Sequence, residues 1–187
     1  MAGKLRPIAC IAAMDSKRGV GKDGKLAWHL KNEMKYFARI TSDVEDKNKE
    51  NAVIMGRKTW ESIPEKYRPL PDRLNIVLSR TIKDAPEKAE KVFSSLDDAF
   101  SALSKEPYIN TIEKVFVIGG PTVYKDAIAH ECCKKIYLTH IDHDYDCDVF
   151  FPEFDTNVYK LSSEEGVPTE VQNEDGVTYK FCVYKRD

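Results

Sequence analysis

The chain has 187 residues, 42% of them hydrophobic and 32% charged, which suffices for one sizeable core and is too short for two ordinary domains. Lys and Arg number 29 against 31 Asp and Glu, a formal net charge of -2. That balance excludes a broad basic field for nucleic acid, so an anionic ligand must be held by a few placed cations.

No apolar run approaches the roughly 20 residues that span a bilayer. The short apolar stretch near the N-terminus meets Asp15, Lys17 and Arg18 at once, unlike a secretory signal. The five cysteines are odd in number and lack C-x-x-C spacing. Reduced thiols in a cytoplasmic protein without a membrane partner are expected. Cys132 and Cys133 read as two ordinary thiols at a helix end.

Taken in chain order, short apolar and β-branched runs fall at 8–14, 52–55, 74–78, 92–93, 115–118, 136–141 and 179–184. Most are near-continuous, as in strands covered on both faces. Between them lie helical patterns. Leu30, Met34, Phe37 and Ile40 follow helical spacing, and Ser95 can cap a helix through Leu103, with Asp97 and Asp98 in its first turn. Pro121 suits the first turn of a helix running to about His130. Strands alternating with helices predict an α/β class with a mainly parallel sheet. Near the end, 159–161 and 179–184 flank a polar stretch containing Asp175-Gly176, which predicts an antiparallel hairpin at one sheet edge.

Three motifs are decoys. Gly19-Val20-Gly21-Lys22-Asp23-Gly24 satisfies the G-x-G-x-x-G pattern, but Asp15 to Arg18 separate it from the strand and no helix opens at Gly24. A flexible glycine loop lying over a ligand fits better. Gly24-Lys25 also nearly completes a phosphate loop, but Leu26 stands where a magnesium-binding hydroxyl belongs. Asp142 to Glu153 imitate the carboxylate spacing of a calcium loop, with Cys147 in place of the turn glycine. No metal-ligand set is evident.

Glu33 is the informative residue. On a helix from Leu30 to Thr41 it shares a face with Leu30, Phe37 and Ile40, and carboxylates are rare on a core-facing stripe unless paired. It suits a ligand rich in N–H donors, with the Trp28 indole at the helix entrance. A second cluster runs from Gly56-Arg57-Lys58-Thr59 at one strand end to Leu78-Ser79-Arg80 at another. Both suit phosphates. A third is Val117-Ile118-Gly119-Gly120-Pro121-Thr122-Val123-Tyr124, where paired glycines admit close backbone approach ahead of a helix N-terminus.

In this order the segments resemble the dihydrofolate reductase family in its animal-type, monofunctional form. The run Met55-Gly56-Arg57-Lys58-Thr59-Trp60-Glu61-Ser62-Ile63-Pro64 is the most specific. Ile11-Ala12-Ala13, the glycine loop, Trp28, Glu33 with Tyr36-Phe37, Arg68-Pro69-Leu70 with Arg73, Asn75 to Arg80, Gly119-Gly120 with Tyr124, Thr139, and Phe150-Phe151-Pro152 add to it. The match runs from about residue 8 to residue 184.

The resemblance implies one domain over residues 1–187. It implies a central sheet of eight strands, mostly parallel with an antiparallel C-terminal strand, and flanking helices. It implies that NADPH reduces 7,8-dihydrofolate in a monomer that antifolates inhibit, with no nucleic-acid partner. Glu33 would hold the pterin amino group and ring N–H, with Thr139 behind it and Trp28 contacting a nearby water. Leu26 and Tyr124 would border the reacting rings. Ile11, Ala12, Met34, Phe37 and Ile118 would line the substrate pocket, with Ser62, Ile63, Pro64, Tyr67 and Leu70 along its channel. Arg73 would bind the glutamate-tail carboxylate. Ala13, Val20, Gly24 and Gly56 would contact the cofactor, as would Gly119, Gly120, Pro121, Thr122 and Val123. Arg57, Lys58, Thr59, Leu78, Ser79, Arg80 and Ser95 would hold its phosphate and adenosine end. Gly119-Gly120 matches the family's cis peptide, and the glycine loop its active-site lid.

The chain departs from the family's pattern at four places. Ala27 replaces a proline before the tryptophan, Met34 a common phenylalanine, Tyr67 a common asparagine, and Ser94 an arginine near the adenosine phosphate. Competing readings are a related reductase of riboflavin synthesis, a P-loop nucleotide kinase and a catalytically silent binding module.

Overall fold

The computed structural model describes residues 4–80, 86 and 89–187. The strands in chain order are β1 (Ile8–Met14), β2 (Gly19–Gly21), β3 (Glu50–Gly56), β4 (Arg73–Leu78), β5 (Lys91–Phe93), β6 (Ile112–Gly119), β7 (Cys133–Ile141), β8 (Val149–Phe150), β9 (Tyr159–Ser162), β10 (Gln172–Glu174) and β11 (Val177–Arg186). The helices are α1 (Lys31–Ser42), α2 (Arg57–Ser62), α3 (Leu96–Leu103), α4 (Tyr108–Thr111) and α5 (Pro121–Ile128). No helix among the described residues is long and apolar enough to cross a membrane.

Across the main sheet the order is β10-β11-β7-β1-β6-β3-β4-β5. From β7 to β5 every neighbouring pair is parallel, and β11 joins β7 antiparallel. The continuous apolar runs feed two cores, because successive side chains of a strand point to opposite faces. From β1, Ile8, Cys10, Ala12 and Met14 enter one core, while Ala9 and Ile11 enter the other. From β3, Ala52 and Ile54 go to the first and Val53 and Met55 to the second. Helix α5 seals the first core with Tyr124, Ala127 and Ile128, and α1 covers the second with Tyr36.

The C-terminal hairpin turns at Asp175 and Gly176, whose φ values of 52° and 79° are both left-handed, as a two-residue hairpin turn of the mirror type requires. Its short arm is β10, a polar strand that the apolar pattern hides. The 159–161 run, expected to share that hairpin, pairs instead with the far half of β11, from Val183 opposite Ser162 to Arg186 opposite Tyr159. So β9 and β10 share one position outside β11, and the sheet is eight positions wide. Cys133 opens β7 rather than closing a helix, and its sulfur lies 3.9 Å from that of Cys10 in the first core.

The helix N-caps follow the sequence at α3, where Ser95 Oγ accepts from Asp98 N at 3.1 Å. Helix α5 starts at Pro121 and stops at Ile128, two residues short of the expected end.

One irregularity positions the site. β1 and β6 pair only at Ala9–Phe116 and Cys10–Val117, yet β1 runs on to Met14 and β6 to Gly119. The strands therefore part at their C-terminal ends. The chain leaves β1 through α1 over one face and leaves β6 through α5 over the other. Adjacent strands whose connections depart to opposite sides leave the crevice where α/β folds bind ligands.

Candidate active site

Glu33 lies in the first turn of α1 and is only 8% exposed. Leu30 on the same face is buried, with Phe37 and Ile40 packed against the second core, as the helical spacing predicts. Burial pushes the Glu33 carboxyl up to about 7. The Thr139 hydroxyl opposes that rise, and the Glu174 carboxylate adds to it. Thr139, itself buried, pairs in β7 with Ala13 of β1, which places this carboxyl at the end of the parted strands. Trp28 is buried ahead of the helix, its ring 5.4 Å from that of Tyr145.

Two buried asparagines fix the outer wall. Asn51 Nδ2 donates to the carbonyls of Thr41 and Asp43 at 3.0 and 2.9 Å, and its Oδ1 accepts from Lys114 N, tying the end of α1 to the sheet. Asn75 exchanges hydrogen bonds with Leu70 and donates to the Arg73 carbonyl, closing the loop between them. Arg73 is buried, with Nε on the Pro71 carbonyl and Nη1 on the Thr41 hydroxyl at 2.9 Å. Burial lowers its pKa and neighbouring Asp72 works against that. No carboxylate ion pair engages Arg73 among the described residues.

Across the cleft, Gly119 and Gly120 lie against Thr59, and Gly56 lies against Val123 and the glycine pair. A Cβ on Gly119 would lie 3.2 Å from Thr59 Oγ1 and 3.5 Å from Tyr124 Oη, and one on Gly120 would lie 3.4 Å from Thr59 Oγ1. A Cβ on Gly56 would lie 3.3 Å from Val123. The Gly119-Gly120 peptide is cis, and Gly119 has a φ of +132°. Tyr124 is buried, and its hydroxyl donates to the Ile11 carbonyl. Burial drives its pKa far above the ordinary phenol value, so the ring is neutral.

Farther along the strand ends, a cavity of about 280 Å³ is lined by Gly56, Leu78, Ser79, Arg80, Ser95 and Val123 among others. Arg57 and Lys58 are exposed at the start of α2, and Arg57 pairs with Glu61 at 2.9 Å. Ser94, at the cavity rim, donates to Asp98 at 2.7 Å. Backbone N–H groups, a buried hydroxyl and exposed cations suit a ligand carrying several phosphates.

Residues 7–186 match the model of the dihydrofolate reductase family. The chain belongs to that family. It is 47% identical over 184 residues to the dihydrofolate reductase of Gallus gallus, with 97% of each chain covered. To that of Sus scrofa it is 46% identical, with 98% of this chain and all of the relative covered. Among solved structures it resembles the Schistosoma mansoni dihydrofolate reductase, with a TM-score of 0.85, 38% identity, and coverage of 98% of this chain and 100% of that one.

Within this reductase fold, most residues singled out in the sequence converge on the parted strands. Ile11, Ala13, Phe37, Ile63, Leu70 and Ile118 pack on the α1 side. Two sit differently. Ala12 points into the opposite core, because strand alternation turns it away from its neighbours Ile11 and Ala13, and only its backbone faces the α1 side. Leu26 is 59% exposed. Met34 and Tyr67 are also exposed, as are Ser62 and Pro64.

The glycine motif builds no phosphate loop. Gly19–Gly21 pairs with β8, and Lys22 to Lys25 close a tight turn in which Asp23 and Gly24 carry positive φ. Sequence reasoning missed the residue that organises this segment. Asp15 is buried and accepts from the backbone N–H groups of Lys17, Gly19 and Tyr145 at 2.9, 2.6 and 3.0 Å. Burial alone would raise its pKa, and those donors outweigh burial and keep it low. An acid directly after a buried strand and before a glycine was the available signal.

Proposed function

We propose that the chain reduces 7,8-dihydrofolate to 5,6,7,8-tetrahydrofolate with NADPH. Glu33 carries this reading: a buried carboxyl poised near neutral pH, beside Thr139, where β1 and β6 part. Among the described residues, no ion pair accounts for it.

When bound, NADPH supplies the hydride, from nicotinamide C4 to pterin C6. Glu33 accepts hydrogen bonds from the pterin amino group and ring N–H, which orients and polarises the ring. With the carboxyl engaged there, a water passes the proton to N5. The apolar walls from Ile11, Phe37, Ile63 and Ile118 exclude bulk water from a reactive hydride. Arg73, with no carboxylate ion pair among the described residues, takes the glutamate tail.

The site fits the cofactor. Gly56, Gly119 and Gly120 leave a cradle that a Cβ would fill, and Thr59 stands over it. Ser79 and Arg80 at the cavity beyond, with Arg57 and Lys58, supply the contacts that a 2′-phosphate and pyrophosphate need. On this reading the protein is a cytosolic monomer, one domain over residues 1–187, and antifolates compete for the substrate site.

The test is the loss of NADPH absorbance on adding dihydrofolate, and its suppression by methotrexate. If NADPH is not consumed under saturating dihydrofolate, the proposed activity is wrong.

A further inference from the structure

Helix α1 has no cap of its own. The residue before it is Leu30, which offers no side-chain acceptor, although the first N–H groups of a helix need one. They find it far along the chain. Glu174 of β10 accepts from Lys31 N at 2.5 Å and from Asn32 N at 3.0 Å. The Tyr179 hydroxyl of β11 donates to the same carboxylate at 3.2 Å. Desolvation works to raise the Glu174 pKa, and the Asn32 and Lys31 N–H groups with the Tyr179 hydroxyl outweigh it, so Glu174 stays ionised.

Glu33 follows Asn32 directly. A helix N-terminus favours negative charge, so an uncapped α1 would draw Glu33 toward its ionised form. Glu174 occupies those N–H groups and sets a second negative charge nearby. Thr139 of β7 and Glu174 of β10 act on Glu33, which in turn acts on Tyr36 of α1, Tyr124 of α5 and Tyr179 of β11. His29, ahead of the helix, acts on Glu174. Of these groups, Glu174 alone is an ionised carboxylate reaching in from outside the helix.

We propose that Glu174 is a positioning residue for Glu33: its carboxylate, presented by the β10–β11 hairpin, fastens the first turn of α1 and holds a like charge beside the buried acid. This rests on the reading above that Glu33 is the carboxyl that meets the pterin. The hairpin, remote in sequence, thereby sets both the place of that acid and the pH range in which it changes charge.

The experiment follows the Glu33 carboxyl directly, by ¹³C NMR titration of the ligand-free protein with Glu33→Gln as the assignment control. In the wild type the midpoint lies near 7. In Glu174→Gln it falls by roughly half a pH unit, the effect of losing one partly screened charge. In Glu174→Asp, which keeps the charge, it stays near the wild-type value. The pH profile of kcat/KM for dihydrofolate moves with it, while KM for NADPH does not change. An unmoved Glu33 midpoint in folded Glu174→Gln overturns the proposal.

Should that variant not fold, the wild type gives the second measurement. Salt raised from ~0.02 M to ~0.5 M screens Glu174 from Glu33 and lowers the midpoint, and a salt-independent midpoint overturns the proposal. A midpoint that shifts in a protein unable to reduce dihydrofolate would uphold the link between the two acids and sink the assigned activity instead.

Discussion

The Tyr124 hydroxyl of α5 donates to the Ile11 carbonyl of β1 at 2.8 Å, across the gap that opens where β1 and β6 stop pairing. One bond thus ties the helix after the glycine pair to the strand on the substrate side. Tyr124→Phe leaves that carbonyl without its donor in a buried setting, at a cost of about 1–2 kcal/mol. The glycine cradle then loses its brace. Denaturant unfolding should report that loss, and turnover should fall by about tenfold, which corresponds to ~1.4 kcal/mol of lost positioning. Because burial keeps the phenol neutral, the pH profile should not change in shape. A profile that loses a limb in Tyr124→Phe would show that the hydroxyl moves a proton.

Glu33 costs the protein stability. Burial lifts its pKa from 4.5 to about 7, so the folded state holds this proton more tightly than the unfolded chain does. Below about pH 4.5 the carboxyl is neutral in both states and carries no penalty. As pH rises through 7 the unfolded chain ionises more readily, and stability falls by roughly 3 kcal/mol in all. Glu33→Gln is neutral throughout. Its Tm should therefore exceed the wild-type value at pH 8, with the difference vanishing toward pH 4.5. Its kcat/KM for dihydrofolate at neutral pH should drop by about a hundredfold or more, with NADPH affinity near normal. Equal stability of the two proteins at pH 8 would mean that the carboxyl is not buried as described.

The parallel strands and Glu33 were legible in the sequence because their signals are local. A continuous apolar run of seven residues reads as a strand covered on both faces, and β1 divides its side chains between two cores as such a run must. A carboxylate on an apolar helical stripe stands out without any tertiary knowledge. The residues that escaped notice act over long range. Glu174 lies in a three-residue polar strand, and its meaning depends on a helix 142 residues away. The one local clue was a helix beginning after Leu30 with no capping residue. Asp15 looked like a charge following a strand, and only the fold brings Tyr145 onto it. The pairing of β9 with the far half of β11 was hidden too, because a polar stretch fixes neither partner nor register.

Cofactor choice should rest on Arg80. It lines the cavity beside Ser79, while Ser94 is turned to Asp98. Arg57 divides its guanidinium with Glu61. Losing one charge-assisted contact to a phosphate costs about 1.5–3 kcal/mol. Arg80→Ala should therefore raise KM for NADPH by roughly ten- to a hundredfold and leave NADH, which has no 2′-phosphate, nearly unaffected. The check is the ratio of kcat/KM values for the two cofactors, and an unaltered ratio assigns the 2′-phosphate elsewhere.

Gly19 and Gly24 both belong to the glycine motif, and the fold gives them unlike reasons to be glycine. A Cβ at Gly19 would sit 2.4 Å from Cys147 Cβ and 2.8 Å from Asp15 Oδ1, and pairing with β8 holds Gly19 itself in place. At Gly24 there is open space, and only its φ of +76° disfavours a side chain. Gly19→Ala should thus force Asp15 off its N–H donors and cost about 1–3 kcal/mol, the range for overpacking a closed contact. Gly24→Ala should cost about 1–2 kcal/mol through backbone conformation alone. Hydrogen exchange at the amides of Lys17, Gly19 and Tyr145 separates the two cases, since only the first variant frees the donors that Asp15 holds. Were Gly24→Ala the one to expose them, the segment would be organised by its turn and not by the buried aspartate.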